Sequence, residues 1–231
     1  PTPFHLIYRR LFPVILQLAV DPEPVTRQLF SSLAYQLARW FTRNQAREAA
    51  ETVALLDAIT DGLAGRSPSA AFGWSAGSAA GAVVQRRELC ASLAAECLKW
   101  SVRNVPGGSG GGARGDDGGV AVNVKSILRR LFALQTHPDP SKRLGASAAL
   151  RRCLGELRDF PAQTEAVALE ILETALRSLR LCDRDPPRAG AEEAGALLTR
   201  AAVRACARHA NALCREPPAG TAPRGGTFAT L

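Results

Sequence analysis

A few groups of side chains in this chain have types and spacings that could support chemistry. Cys206, His209 and Cys214 lie close together in sequence and could supply three ligands to a zinc ion. A fourth ligand and the short loop that usually carries zinc ligands are missing. We therefore expect these cysteines, like Cys90 and Cys97 at helical spacing, to be buried thiols between helices. The sequence predicts no metal site.

The sequence supports neither nucleotide binding nor catalysis. The stretch PGGSGGGARGDDGG (106–119) offers glycines for a phosphate loop, but no Gly-Lys-Ser/Thr follows it and no strand precedes it. The histidines His5, His137 and His209 lie far apart in sequence, and we expect His137 to bond to the backbone of a turn. We predict no cofactor, no small-molecule substrate and no catalytic residue in this segment.

One short pattern occurs twice and indicates how the chain is organised. The segments AVDPEPVTRQL and QTHPDPSKRLG share P-[ED]-P-x-x-R at an offset of 116 residues, each between two apolar helical stretches. Proline suits the start of a helix, and an acid at that end can cap it and favours the helix dipole. The arginine needs an acidic partner from the same or a neighbouring turn. The predicted structural turn motif comprises Asp21, Pro22, Pro24, Arg27, Pro138, Asp139, Pro140 and Arg143.

Helical periodicity extends along most of the chain, without strand-like alternation. We predict helices over residues 4–20, 25–42, 46–63, 83–105, 122–135, 140–157, 163–181 and 192–214. The apolar stripe of the first consists of Leu6, Ile7, Leu11, Val14, Ile15 and Leu18, and that of the second of Leu29, Phe30, Leu33, Leu37, Trp40 and Phe41. The predicted inter-helix core includes Leu33, Leu37, Leu55, Leu56, Leu93, Cys97, Leu128, Leu131, Leu150 and Leu154.

Composition divides the chain into two helical regions. Residues 1–105 are predicted to be helical with a weakly structured insertion near 65–82, and residues 122–214 to be helical again. Between them, 106–121 has the composition of a flexible glycine-rich linker, and 215–231 is predicted to be a disordered tail.

The overall composition is that of an intracellular soluble protein. The 231 residues include no Met, so we interpret the chain as a fragment, and no apolar run approaches the roughly 20 residues of a membrane span. The net charge is +8, but 26 of the 29 basic residues are Arg, and they are spread along the chain. GC-rich coding explains this bias as readily as phosphate binding, so direct nucleic-acid binding is not the favoured interpretation.

Helix pairs joined by a recurring turn are typical of α-solenoids, in which each pair buries its apolar stripe against its neighbour. A proline turn, an acid and then a basic residue on the second helix resemble the HEAT repeat. We therefore predict an all-α fold: an α-solenoid of about four HEAT-like antiparallel helix pairs.

Longer strings carry a closer resemblance. FPVILQLAVDPEPVTRQLFSSLAYQLARWFTRN, ETVALLDAITDGL, CLKWSV and NVKSILRRLFALQTHPDPSKRLGASAAL resemble the helical-repeat region of the DNA-dependent protein kinase catalytic subunit family, very large phosphatidylinositol 3-kinase-related kinases. The resemblance covers about 4–103 and 122–181. The stretch 66–81, the linker and the tail fit that family poorly.

The resemblance implies a serine/threonine kinase whose kinase domain lies at its far carboxyl end. It also implies a nuclear protein that repairs DNA double-strand breaks by non-homologous end joining, with its repeats forming a cradle around DNA and the Ku heterodimer. The string RDFPAQ is no Asp-Phe-Gly motif and no His-Arg-Asp loop occurs, so no catalytic residue carries over to this chain. We expect a non-catalytic scaffold that packs against other repeats of its own protein and meets Ku and DNA ends through the full-length protein.

Two other functions compete with this interpretation. A HEAT adaptor of another kind, of the transport-receptor or phosphatase-scaffold type, would bind protein partners, but it has no reason to contain the long family-like strings. An enzyme would need a convergent set of polar groups, which the scattered histidines do not provide.

Overall fold

The computed structural model describes residues 4–42, 50–65, 79–103, 122–186 and 190–210. Within these ranges the secondary structure is entirely helix and turn, which confirms the predicted all-α class. None of the described helices is both long and apolar enough to cross a lipid bilayer. The helices are α1 (Phe4–Leu18), α2 (Pro24–Thr42), α3 (Ala50–Leu63), α4 (Ala79–Arg103), α5 (Val122–Gln135), α6 (Pro140–Leu157), α7 (Pro161–Cys182) and α8 (Ala191–Arg208).

The helices form two units of four with the same packing order. In the first unit α1 packs on α2 and α3, and both α2 and α3 pack on α4. In the second unit α5 packs on α6 and α7, and both of these pack on α8. An extensive contact between α4 and α6 joins the units. The chain is therefore a helical-repeat solenoid, as predicted, and each repeated unit consists of two helix pairs.

Several helix boundaries differ from those predicted. Helix α4 begins at Ala79, so residues 79–82 of the predicted insertion are helical, while α3 begins at Ala50 rather than near residue 46. Residues 66–78 of the insertion, the linker 106–121 and the tail 215–231 lie outside the described residues. The start of α6 at Pro140 agrees with the prediction, because Asp139 caps that helix.

The core contains all ten residues predicted for it. Eight are buried, and Leu33 and Leu37 are half-buried against the same cluster. An aromatic group closes the junction of α1 and α2, where the ring of Phe12 lies 5.3 Å from Tyr8 and 5.6 Å from Phe41.

The apolar stripes of α1 and α2 are only partly correct. On α1, Ile15 is buried as expected, but Leu6, Ile7 and Leu11 are 60%, 57% and 42% exposed, and Phe12 and Leu16 are buried instead.

On α2, Leu29 and Trp40 are 63% and 78% exposed, and the buried positions are Ala34, Ala38 and Thr42. Small alanine side chains let the neighbouring helices approach α2 closely, so the buried stripe is narrow and the larger residues Phe30, Leu33, Leu37 and Phe41 lie half-buried beside it. Counting large apolar residues alone therefore misplaced the face.

Close approach also determines the junction of the two units. A Cβ atom at Gly145 of α6 would lie 2.1 Å from the carbonyl oxygen of Leu63, at the end of α3. The same carbonyl accepts a hydrogen bond of 3.2 Å from Nε of Arg87 on α4. Only glycine fits where α6 crosses the end of α3.

We predict that Gly145→Ala destabilises the protein by about 1–3 kcal/mol, the usual cost of overpacking a core. Gly155→Ala on the same helix is the matched control, because a Cβ there meets no atom within 4 Å. That control should stabilise by about 0.5–1 kcal/mol, since alanine favours a helix interior over glycine. Urea unfolding measures both, and equal effects at the two positions would contradict the close packing.

Candidate functional site

The first turn (residues 19–23) joins α1 to α2 through a compact set of hydrogen bonds. A carboxylate oxygen of Asp21 accepts from the backbone N–H of Glu23 at 2.9 Å. The Glu23 carboxylate in turn accepts from the backbone N–H groups of Val25, at 3.0 Å, and of Thr26. These hydrogen bonds to Thr26 and Val25 lower the pKa of Glu23. Glu23 is thus the residue that caps α2.

The second turn (residues 136–139) repeats this arrangement between α5 and α6. Nδ1 of His137 accepts from the backbone N–H of Asp139 at 3.0 Å, and Asp139 accepts from the N–H of Ser141 at 2.9 Å. His137 therefore bonds to the turn backbone, as expected. Of the two motif aspartates, Asp139 caps α6, whereas the residue that corresponds to it in the first turn, and that caps α2, is Glu23; Asp21 corresponds to His137.

The two motif arginines bind the backbone of their own turns. The Arg27 guanidinium donates to the carbonyl oxygens of Asp21 and Pro22, at 3.0 and 3.3 Å. The Arg143 guanidinium donates to the carbonyls of His137 and Pro138, at 2.8 and 2.6 Å. Each arginine thus binds two carbonyls of the turn that precedes its own helix, one of them the carbonyl of the turn's proline.

The surroundings of the two arginines differ sharply. The Arg143 side chain is fully buried and forms an ion pair with Asp185, which follows α7 in the third turn (residues 183–186). The Arg27 side chain is exposed, and among the described residues no carboxylate forms an ion pair with it. An acid from the same or a neighbouring turn was expected for both arginines: Asp185 of the third turn pairs with Arg143, and the acid near Arg27 is Glu23 of its own turn, whose pKa the Arg27 charge helps to lower.

Asp185 is a residue that the sequence did not single out. It lies 42 residues after Arg143 and belongs to no repeated pattern; the only signal is an acid between the end of a helix and two prolines. Gly190, the residue before α8, has a φ of 74°, in the left-handed region that favours glycine.

The proposed zinc ligands do not form a described site. Nδ1 of His209 lies 3.2 Å from a carboxylate oxygen of Glu165, Cys206 is half-buried, and Cys214 lies outside the described residues. No cluster of three metal-ligating side chains occurs in the part of the chain that the structure describes. Nor are His137 and His209 brought together, since one lies in the second turn and the other at the end of α8.

Three further cysteines are buried in helix interfaces. Cys90 and Cys97 of α4 and Cys153 of α6 are fully buried, and burial raises the pKa of Cys90 and of Cys153 to about 12 and raises the pKa of Cys97 as well. A thiol that stays protonated is a poor nucleophile and a poor metal ligand. Cys97 interacts with Cys153 where α4 packs on α6, and Cys90 faces Gly62 of α3.

A groove lies beside the exposed arginine. It has a volume of about 580 Å³ and lies between the first turn, the start of α2 and the amino-terminal half of α4. Its lining includes Val20, Arg27, Gln28, Val84, Glu88 and Leu89. We call it the Arg27 groove.

The duplicated arginine provides a matched pair of variants. Arg143→Gln should destabilise the protein by about 3–5 kcal/mol, because it leaves the buried Asp185 carboxylate without its partner. Arg27→Gln should cost about 1 kcal/mol, since that side chain is exposed and loses only hydrogen bonds. Chemical denaturation of both variants measures the difference. Similar losses at the two positions would show that the buried ion pair contributes nothing.

Thiol labelling tests the burial of the cysteines. At pH 8.5 iodoacetamide should modify Cys182 and Cys206 well before Cys90, Cys97 and Cys153, whose raised pKa values keep them neutral. Because an unfolded thiol has a pKa near 8.5, the stability that these three contribute is complete below that pH and is lost as pH rises towards 12. Peptide mapping with and without denaturant identifies the labelled residues, and rapid native labelling of Cys153 would contradict the packing.

Comparison with known proteins agrees with the repeat architecture. Residues 2–230 match the protein family described as "DNA-dependent protein kinase catalytic subunit, CC1/2". The DNA-dependent protein kinase catalytic subunit of Canis lupus familiaris is 35% identical over 183 residues, which are 79% of this chain and 4% of that protein. The protein of the same name from Xenopus laevis is 32% identical over 230 residues, or 98% of this chain and 5% of that protein.

The similarity extends beyond vertebrates. The protein of that name from Dictyostelium discoideum is 33% identical over 180 residues, 78% of this chain and 4% of its own length. The chain therefore spans about one twentieth of the relatives that it matches. The family match, which covers almost the whole chain, and these relatives both agree with the resemblance found in the sequence. The chain belongs to the DNA-dependent protein kinase catalytic subunit family and corresponds to its CC1/2 region.

Proposed function

We propose that this chain is a non-catalytic scaffold segment of a large kinase of this family. In this role it would act in the nucleus, in the repair of DNA double-strand breaks by non-homologous end joining. The observation that carries the proposal is the tandem four-helix unit, which belongs to a family named for a kinase but contains none of the kinase signatures. Its task would be to hold neighbouring parts of a long protein at fixed positions.

The exposed apolar side chains support packing against further repeats of the same protein. Leu6 and Ile7 of α1, in the first unit, are more than half exposed. In the second unit Leu169 and Leu176, seven residues apart on one face of α7, are 53% and 47% exposed. Apolar faces on both units are what stacked repeats cover with their neighbours. Other helical repeats of the parent protein are therefore the partners proposed for these faces.

Contacts with the Ku heterodimer and with DNA ends are proposed only through the full-length protein. The positive charge of this segment is distributed over many arginines, several of which are bound to protein groups. Arg130 and Arg152 donate to Asp57 and to Glu88, and Arg143 is buried. What remains can attract phosphates, but among the described helices none presents a row of basic and aromatic side chains suited to reading bases. The segment alone should therefore contribute little affinity for DNA.

Two titrations of the purified chain test this proposal. We expect no binding of ATP, because the metal-holding acids, phosphate-contacting lysine and catalytic base of phosphoryl transfer are absent from the sequence. We expect weak binding of blunt duplex DNA that falls steeply between about 50 and 200 mM salt, as counterion release requires.

Isothermal calorimetry measures the first titration and fluorescence anisotropy the second, with an unrelated basic protein of similar charge as the control for non-specific DNA binding. Stoichiometric binding of ATP would contradict the non-catalytic role. DNA binding that is tight and insensitive to salt would show instead that the segment is itself a DNA-binding module.

A further inference from the structure

The two motif arginines bind their turns in the same way, but a carboxylate of a further turn is bound to Arg143 and an open groove lies beside Arg27. Both guanidinium groups donate to the two carbonyls of their turn through one nitrogen, Nη1. In the second unit the other terminal nitrogen of Arg143, Nη2, donates to the Asp185 carboxylate. In the first unit Arg27 lines the open groove of about 580 Å³. The orientation of the guanidinium is thus set by the turn, whether or not a carboxylate is bound.

The second unit also shows what fills the corresponding space. There a Cβ atom added at Gly190, the residue before α8, would lie 3.9 Å from the Leu144 side chain, and Arg143 is excluded from water. At the position that corresponds to Leu144, the first unit has Gln28, whose side chain lines the Arg27 groove. The groove therefore lies where the second unit accommodates an acidic turn.

We propose that the Arg27 groove binds an acidic turn of a protein partner, with one aspartate or glutamate placed on Arg27 as Asp185 is placed on Arg143. The corresponding connection of this chain, residues 66–78, contains no Asp or Glu, so the carboxylate must come from elsewhere. The inference rests on the geometry of the two turns and not on the scaffold role proposed above.

The charges around the groove favour a single carboxylate over a polyanion such as nucleic acid. Glu23 lies at the first turn and Glu88 lines the groove, and Glu88 is bound by Arg152 from α6. The Arg27 guanidinium, which makes two hydrogen bonds to the turn, can donate to one further carboxylate. Charge-assisted pairs of this kind are strong and directional. Val20, Val84 and Leu89 supply apolar contacts for the rest of the turn. A row of phosphates would be repelled by the carboxylates of Glu23 and Glu88 and attracted only by Arg27.

The test uses the whole chain and a labelled peptide that copies residues 181–188, with serine in place of Cys182. Fluorescence anisotropy should show saturable binding, weakened by about tenfold or more when the peptide carries Asp185→Asn, since a charged hydrogen bond is lost. Arg27→Gln in the protein should weaken binding of the unmodified peptide to the same extent and should leave the affinity for the Asp185→Asn peptide nearly unchanged. Raising the salt concentration should weaken only the pairing of the unmodified peptide with the unmodified protein.

The matched protein control is Arg129→Gln, which removes an exposed arginine from α5, a helix that contributes no residue to the groove. It should leave the peptide affinity unchanged, and a thermal melt should show that Arg27→Gln is still folded. Equal affinity for the two peptides, or no saturable binding, would overturn the proposal. Complete displacement of the peptide by duplex DNA, with DNA binding lost in Arg27→Gln, would also overturn it and assign the groove to phosphate.

Discussion

A guanidinium held by two backbone carbonyls fixes the start of the second helix in both units. The turn between two helices has carbonyl oxygens that belong to neither helix, and the arginine from the following helix donates to two of them at once. Because the arginine lies six residues after the first of those carbonyls, its bonds tie the turn to the start of the second helix. These bonds thus help to hold α1 beside α2 and α5 beside α6, whose apolar residues share one core.

Small residues then determine how closely the helices approach. Ala34 and Ala38 form the buried line of α2, and Gly145 brings α6 onto the end of α3. Dense packing of this kind has two consequences. The thiols between α4 and α6 are excluded from water, which keeps them protonated. Large apolar residues that do not fit the narrow contact lie outside it, where further repeats of a solenoid can cover them.

The duplicated turn shows that the same residues can have different energetic roles. Arg27 and Arg143 make the same backbone hydrogen bonds, but only Arg143 is enclosed by a third turn with a carboxylate. A buried ion pair has little net effect on stability when complete and is costly when broken, so Arg143 is a fixed structural element. The exposed Arg27 keeps hydrogen-bonding capacity that a partner can use. In this repeat protein one copy of the contact is thus enclosed and the other is exposed.

The sequence by itself determined the fold class, most helix positions and the existence of the two turns. Helical periodicity and the prolines in the turns are local signals, so α5 and the start of α6 were predicted at their observed residues. The predicted apolar stripes of α1 and α2 were only partly correct, and the turn motif included Asp21 but not the cap Glu23, because spacing does not show which neighbour a helix meets or which carboxylate reaches the N–H groups. The pairing of Arg143 with Asp185 joins residues 42 positions apart that share no pattern. Only the tertiary structure decided that one arginine is buried and the other open, since this depends on where the chain returns after α7 and not on the arginine or its neighbours in sequence.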